Sequence, residues 1–135
     1  MAGTTELVHE RIIAVIDDDH GMRVSLGRLL LSVGYRTVLF ESAEAFLSAE
    51  SRLRVDCVIS DIAIPGGMSG LDLARCMANG QSEIPLVLMS GRATPACRHE
   101  AETLGVTALL AKPFDDGELV GLLDKALSDR SQADS

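Results

Sequence analysis

Tryptophan is absent from this 135-residue chain, and aromatic residues of every kind make up only 3% of it. Tyr35, Phe40, Phe46 and Phe114 are all there are, so a core has to be assembled from Leu, Val, Ile, Ala and Met. Cysteine is scarce as well. Cys57, Cys76 and Cys97 form an odd set at wide spacing, without a C-x-x-C pair. That excludes a disulfide framework and indicates no zinc site; buried, reduced thiols in a cytosolic protein are the expectation. No run of about 18 apolar residues occurs, so no segment is expected to span a membrane. Met1–Arg11 is polar and mixed in charge, with no signal-peptide core, which points to a cytoplasmic location. Positive charge is in deficit, with 12 Lys and Arg against 20 Asp and Glu and a net charge of −8. Such a chain is not built to hold a nucleic-acid backbone or an anionic membrane surface. A cation or a basic partner surface suits it better.

The remaining composition, 47% hydrophobic and 24% charged, is that of a globular protein and excludes disorder of the whole chain. The length matches one domain. Residues 1–10 read as a flexible arm, 11–128 as the domain, and 129–135, within the polar stretch SDRSQADS, as a tail or truncated linker.

Ile12–Ile16 (IIAVI) is a short apolar run bounded by charged residues, the mark of a strand buried on both faces. Met22, Leu26, Leu29, Leu30 and Val33 follow at helical spacing, and Gly34 sits where a helix stops. Thr37–Phe40 is a second strand, and a short helix after Ser42 carries Ala43, Phe46 and Leu47. Cys57–Ser60 is a third strand, ending in Asp61. The loop Pro65–Gly67 precedes a helix with Leu71, Leu73, Ala74 and Met77. Leu86–Met89 is a fourth strand, ending in Ser90. Thr94 and Pro95 open the next helix as N-cap and first residue. Ala108–Ala111 is the fifth strand, and Asp115 with Glu118 has the spacing of a capping box for the last helix. Five strands alternating with five helices predict an α/β fold: a five-stranded parallel sheet, doubly wound, with helices on both faces.

In such a sheet ligands bind beyond the carboxyl ends of the strands. There the sequence places Asp17, Asp18 and Asp19 after strand one, Asp61 after strand three, Ser90 after strand four and Lys112 after strand five. Two carboxylates about 4 Å apart repel by about 4 kcal/mol at an effective dielectric near 20. Lys112 offsets part of this, and a hard divalent cation would offset more. Mg²⁺ takes oxygen ligands, keeps waters and is held by one or two carboxylates plus a phosphate. A carboxylate kept ionised beside it can attack phosphorus and form an acyl phosphate, with the cation, Ser90 and Lys112 on the phosphoryl oxygens. Taken singly, the acidic triplet could cap a helix, Ser90-Gly91 could be a turn, and Lys112-Pro113 means nothing. The signal is their conjunction at four strand ends.

With these residues in hand, the chain resembles the receiver domain of two-component response regulators over about Arg11–Leu127. The carriers are the acidic doublet in VIDDD, Asp61 in CVISDIAIPGGMSGLDL, Ser90 in LVLMSG and Lys112 in LLAKPF. The resemblance implies a flavodoxin-like (βα)5 three-layer sandwich. It implies that Asp61 takes a phosphoryl group from a sensor histidine kinase or phosphotransfer protein. Asp18, Asp17, Asp61 and the backbone carbonyl of Ala63 would hold Mg²⁺, with Asp17 acting partly through water. Ser90 would swing toward the phosphoryl group and Lys112 would pair with it, next to a cis peptide at Lys112-Pro113. Asp19 receives helix capping only. The implied partner surface is 95–104, 108–110 and 115–127, which also admits a homodimer through the last two helices and fifth strand. FESAEAFL at Phe40–Leu47 is similar to regulators whose output domain binds DNA through a helix-turn-helix.

Three departures stand out. Leu109 occupies the position where the family often carries an aromatic switch. Serine replaces the frequent threonine at 90. The loop Pro65–Gly70 is one residue long against the commonest pattern, resembling receivers of hybrid kinases, and the extra glycine predicts a looser loop beside the metal. Two other readings compete with a phosphorylated switch. One is a degenerate receiver acting as a binding module. The other is an aspartate-nucleophile phosphohydrolase with Asp17 as nucleophile, for which 135 residues leave little room.

Overall fold

A computed structural model describes residues 10–49 and 54–134 of the chain, with side chains as far as 129. All but the last residue of the expected arm lies outside the described residues. The strands are β1 (Ile12–Ile16), β2 (Arg36–Phe40), β3 (Cys57–Asp61), β4 (Leu86–Ser90) and β5 (Ala108–Ala111). The helices are α1 (His20–Ser32), α2 (Ala43–Ala49), α3 (Gly70–Asn79), α4 (Pro95–Thr103) and α5 (Asp116–Asp134). All strand pairings are parallel, in the order β2-β1-β3-β4-β5.

The strands read as continuous apolar runs because the sheet is covered twice. Ala14 and Ile16 of β1 join Val58, Leu88, Phe46, Leu73 and Ala101 on the face carrying α2, α3 and α4. Ile13 and Val15 join Ile59, Val87, Leu26, Leu30, Leu119 and Leu123 on the face carrying α1 and α5. The period of two along each strand thus feeds two cores rather than a core and a solvent face. Each fully buried Leu, Ile or Phe is worth about 1.5–3 kcal/mol, which makes up for the missing aromatics.

Helix starts are set by short polar side chains. Asp19 accepts the Met22 N–H at 3.1 Å, Ser42 the Ala45 N–H at 3.0 Å and Thr94 the Cys97 N–H at 3.2 Å. Gly34, at φ +100°, ends α1 in a conformation that favours glycine. The capping box forms at Ser69 and Asp72 rather than at Asp115 and Glu118; at Asp115 the backbone carbonyl accepts from Glu118 and Leu119. Ser69 has the reciprocal acid three residues on and a free N–H to offer it, at 3.1 Å.

The polar segment 129–134 lies within α5, which runs to Asp134; it contains neither Gly nor Pro, so nothing in it stops a helix. One expectation is corrected here. No disulfide joins Cys57, Cys76 or Cys97, but only Cys57 is buried, Cys76 being exposed and Cys97 half-buried. Helical periodicity explains Cys76, since Leu73, Ala74 and Met77 take the inner face of α3. The Tyr35 hydroxyl donates to the Asp124 carboxylate, joining the end of α1 to α5. Among the described residues no helix is long and apolar enough to cross a membrane.

Candidate functional site

The order β2-β1-β3-β4-β5 has a switch point between β1 and β3. The chain leaves β1 toward β2 on one side, and β3 toward β4 on the other, so the two outgoing loops part and leave a crevice. Asp17 follows β1 and Asp61 ends β3, one on each side of it.

Asp17 is buried. Its N–H donates to the Phe40 carbonyl at 3.1 Å, and its Oδ1 accepts the Asp19 N–H at 2.9 Å. Its carbonyl accepts from Arg23 Nη1 at 2.6 Å. Its Oδ2 is buried without a hydrogen-bond partner. Burial pushes the Asp17 carboxyl above its usual range, against the Asp19 hydrogen bond, and the nearby Asp61 and Asp18 charges add to the rise. Asp18 is exposed beside it on the rim.

Asp61 is held at both oxygens. Oδ1 accepts the Ala63 N–H at 3.0 Å, and Oδ2 accepts from Lys112 Nζ at 2.5 Å. Lys112 is fixed in turn by its own N–H, which donates to the Ser90 carbonyl at 2.8 Å, and the peptide to Pro113 is cis. The Ser90 hydroxyl accepts the Arg92 N–H at 2.9 Å and so belongs to its own loop. Leu109 is half-buried against the core of α2, α3 and α4. The structure therefore brings Asp17, Asp61 and Lys112 into one electrostatic unit, with Asp18 and the exposed Ala63 at its mouth. Ser90 stands at the neighbouring strand end with its hydroxyl engaged elsewhere.

The donor set is hard oxygen with one ammonium. Among the described residues no three His, Cys, Asp or Glu side chains form a ready metal cage. An ion that keeps most of its waters needs none, and the orphaned Asp17 Oδ2 beside a second carboxylate is what a small divalent cation would satisfy. The residues fit Mg²⁺.

Two residues outside the sequence reading shape this site. A Cβ on Gly70 would lie 2.7 Å from the Asp61 carbonyl oxygen and 2.9 Å from the Ile62 Cα. Only glycine lets α3 begin directly against the end of β3, and no positive φ is involved. Gly70→Ala should cost about 2–3 kcal/mol, because backbone rather than a flexible side chain must yield; urea denaturation would read it. Glu44, on α2, accepts the Met68 N–H at 3.0 Å from the loop after β3. The FESAEAFL motif was the signal that could have found it. His20 and His99 are exposed, and His9 lies outside the described residues.

A doubly wound parallel sheet with two aspartates across its switch point, one of them paired with a lysine, defines a class, and comparison with known proteins names it. The sequence matches the family described as "Response regulator receiver domain" over residues 13–124, and the chain belongs to that family. It is 41% identical over 115 residues to the transcriptional regulatory protein FixJ of Bradyrhizobium diazoefficiens, covering 85% of this chain and 56% of that one. It is 35% identical over 118 residues to the response regulator TmoT of Ectopseudomonas mendocina, covering 87% and 53%. The crystal structure of full-length FixJ from B. japonicum superposes with a TM-score of 0.81 at 39% identity, covering 90% of this chain and 59% of that one. The chain spans about half the length of the curated relatives it matches. It is a receiver domain of the two-component response-regulator type, its relatives are signalling response regulators, and the phosphohydrolase reading is not favoured. Receivers of this family generally use Mg²⁺ at the phosphorylation site, and response regulators interact with histidine kinases or phosphotransfer proteins.

Proposed function

We propose that Asp61 is the phosphoacceptor of this chain and that Asp17, Asp18, Asp61 and the Ala63 carbonyl hold Mg²⁺ beside it. The observation that carries this is the Asp61 carboxylate itself, paired with Lys112 Nζ at 2.5 Å, close to the buried Asp17, whose Oδ2 has no partner. One Asp61 carboxylate oxygen attacks the phosphorus of a kinase or phosphotransfer phosphohistidine. The O–P bond forms as the N–P bond breaks, and the electron pair returns to the imidazole nitrogen. Mg²⁺, when bound, neutralises charge on the phosphoryl oxygens. Lys112 follows from its carboxylate partner to the new phosphoryl oxygens, and Ser90 rotates away from the Arg92 N–H to donate to them.

The altered rim then biases the surface formed by 95–104, 108–110 and 115–127, with Leu109 transmitting by aliphatic packing where relatives often use a ring. A homodimer through α4, β5 and α5 uses the same surface. Self-phosphorylation from a small phosphodonor and self-dephosphorylation occur at Asp61 alone. The chain works in the cytoplasm, and at net charge −8 it makes no direct contact with nucleic acid.

Intact mass after incubation with acetyl phosphate tests this. One phosphoryl group is expected with Mg²⁺ and none when EDTA is added first. No gain under either condition would support the binding-module reading instead.

A further inference from the structure

The motif Phe40–Leu47 does more than build α2. Ser42 caps the helix, and Ala43 and Phe46 are fully buried. Glu44 does neither. It is exposed in the first turn of α2, and its Oε2 reaches across to accept the Met68 N–H at 3.0 Å. Gly67 lies so close that a Cβ there would stand 3.2 Å from Oε2 and 3.3 Å from Oε1. Gly66, at φ +79°, and the Gly67 N–H on the Ile64 carbonyl at 3.3 Å turn the chain so that the Met68 N–H meets the carboxylate. The other end of the loop is fastened by the Ala63 N–H on Asp61 and the Gly70 N–H on the Ile62 carbonyl, both at 3.0 Å. The glycine-rich loop that the sequence predicts to be loose is therefore tied at its far end by an element from another part of the sheet edge.

We propose that Glu44 is a positioning residue for the metal site: by clamping Gly67 and Met68 it orders the Pro65–Met68 turn and, through it, the Ala63 carbonyl. This rests on the reading that Mg²⁺ binds beside Asp61. Glu44 touches neither the ion nor the phosphoryl group; its effect is to lower the ordering that the loop must undergo when the ion binds. The small approach distance at Gly67 is part of the device. An alanine there makes the flexible end of Glu44 give way by a few tenths of an ångström, which strains the clamp at little cost to the fold.

The test compares the full chain as wild type, Glu44→Ala, Glu44→Gln and Gly67→Ala. Two quantities are read: hydrogen exchange of the Met68 amide in metal-free protein, and Mg²⁺ affinity by calorimetric titration. Glu44→Ala should speed Met68 exchange and weaken Mg²⁺ binding by about threefold to tenfold, the scale of one net hydrogen bond, and Gly67→Ala should move both readouts in the same direction by less. Glu44→Gln keeps an acceptor oxygen without the charge and should stay near wild type in both. Unchanged Mg²⁺ affinity in Glu44→Ala overturns the proposal. So does a Glu44→Gln variant as weak as Glu44→Ala, since charge and not the clamp would then be at work. A wild-type chain that takes up no Mg²⁺ overturns the site reading itself and the metal half of this proposal with it, and shows this before any variant is made.

Discussion

Asp61→Asn is expected to lose phosphoryl uptake completely while keeping its fold. An amide has the shape of the carboxylate but not its nucleophilic oxygen, whose lone pairs are what attack phosphorus. The Ala63 N–H, at 3.0 Å from Oδ1, keeps an acceptor in the variant. Lys112 loses its ionised partner, yet its side chain retains 25% exposure, so water covers part of the loss. Removing one charge also relieves the repulsion between Asp17 and Asp61 that contributes to the raised Asp17 carboxyl. These effects oppose each other, and stability should change by no more than about 1–2 kcal/mol. Intact mass with acetyl phosphate and Mg²⁺, run beside a thermal melt, reads both halves. Label on the variant at wild-type level would remove Asp61 as the acceptor.

The second large effect is at Asp17, and its sign depends on the ion. In the folded chain burial, helped by Asp61 and Asp18, holds the Asp17 carboxyl above its usual 3.8. An acid raised in the folded state stabilises the fold below its unfolded value, and that contribution is lost as pH rises through the folded one. Near neutral pH the ionised Asp17 therefore works against folding. Asp17→Asn keeps an acceptor for the Asp19 N–H and removes the charge. It should raise metal-free stability at pH 7 by about 1–2 kcal/mol, with the gain fading as pH is lowered toward 4. With Mg²⁺ the ranking should invert. An ion at a hundred times its dissociation constant adds about 2.7 kcal/mol to a protein that binds it, and the variant has surrendered a ligand. Melts of both proteins at pH 7 and pH 4, with and without Mg²⁺, decide this. A variant less stable than wild type without metal at pH 7, or one that gains as much from Mg²⁺, would contradict the assigned role.

The two effects share a cause. The site is an arrangement of like charges that the fold tolerates because Lys112 offsets them in part, and its unsatisfied Asp17 oxygen is the observation in favour of a resident cation. The family relation supports that picture without supplying the geometry, which comes from the chain's own contacts. The Leu109 position is the clearest departure: where the family often carries a ring, this chain has an aliphatic side chain half-buried against the core of α2, α3 and α4.

Much of this was legible in the sequence because its causes are local or periodic. Five apolar runs, each ending in a polar residue, gave the strands; Asp19, Ser42 and Thr94 marked helix starts by the chemistry of their own side chains. The rule that ligands bind beyond strand ends then picks out Asp17, Asp18, Asp61, Ser90 and Lys112 from the sequence alone. Less legible were features set by distance between remote segments. Gly70 looks like any loop glycine until β3 is seen 2.7 Å from where its Cβ would be. Glu44 reads as an exposed helix acid until Met68, 24 residues away, is found on its carboxylate. The end of α5 was not legible, because a polar stretch without Gly or Pro is equally compatible with helix and coil.

By itself, then, the sequence determined the alternation of elements, the double burial of the sheet and which polar residues stand at the strand ends, because hydrophobic period and strand-end position are one-dimensional properties. Only the tertiary structure decided which oxygen of Asp61 meets Lys112, that Asp17 Oδ2 is left without a partner, that Ser90 points to its own loop and that Glu44 fastens the loop after β3. Each of those depends on how strands and helices far apart in the chain come to lie within a few ångströms, where hydrogen-bond geometry and burial, rather than residue type, fix the outcome.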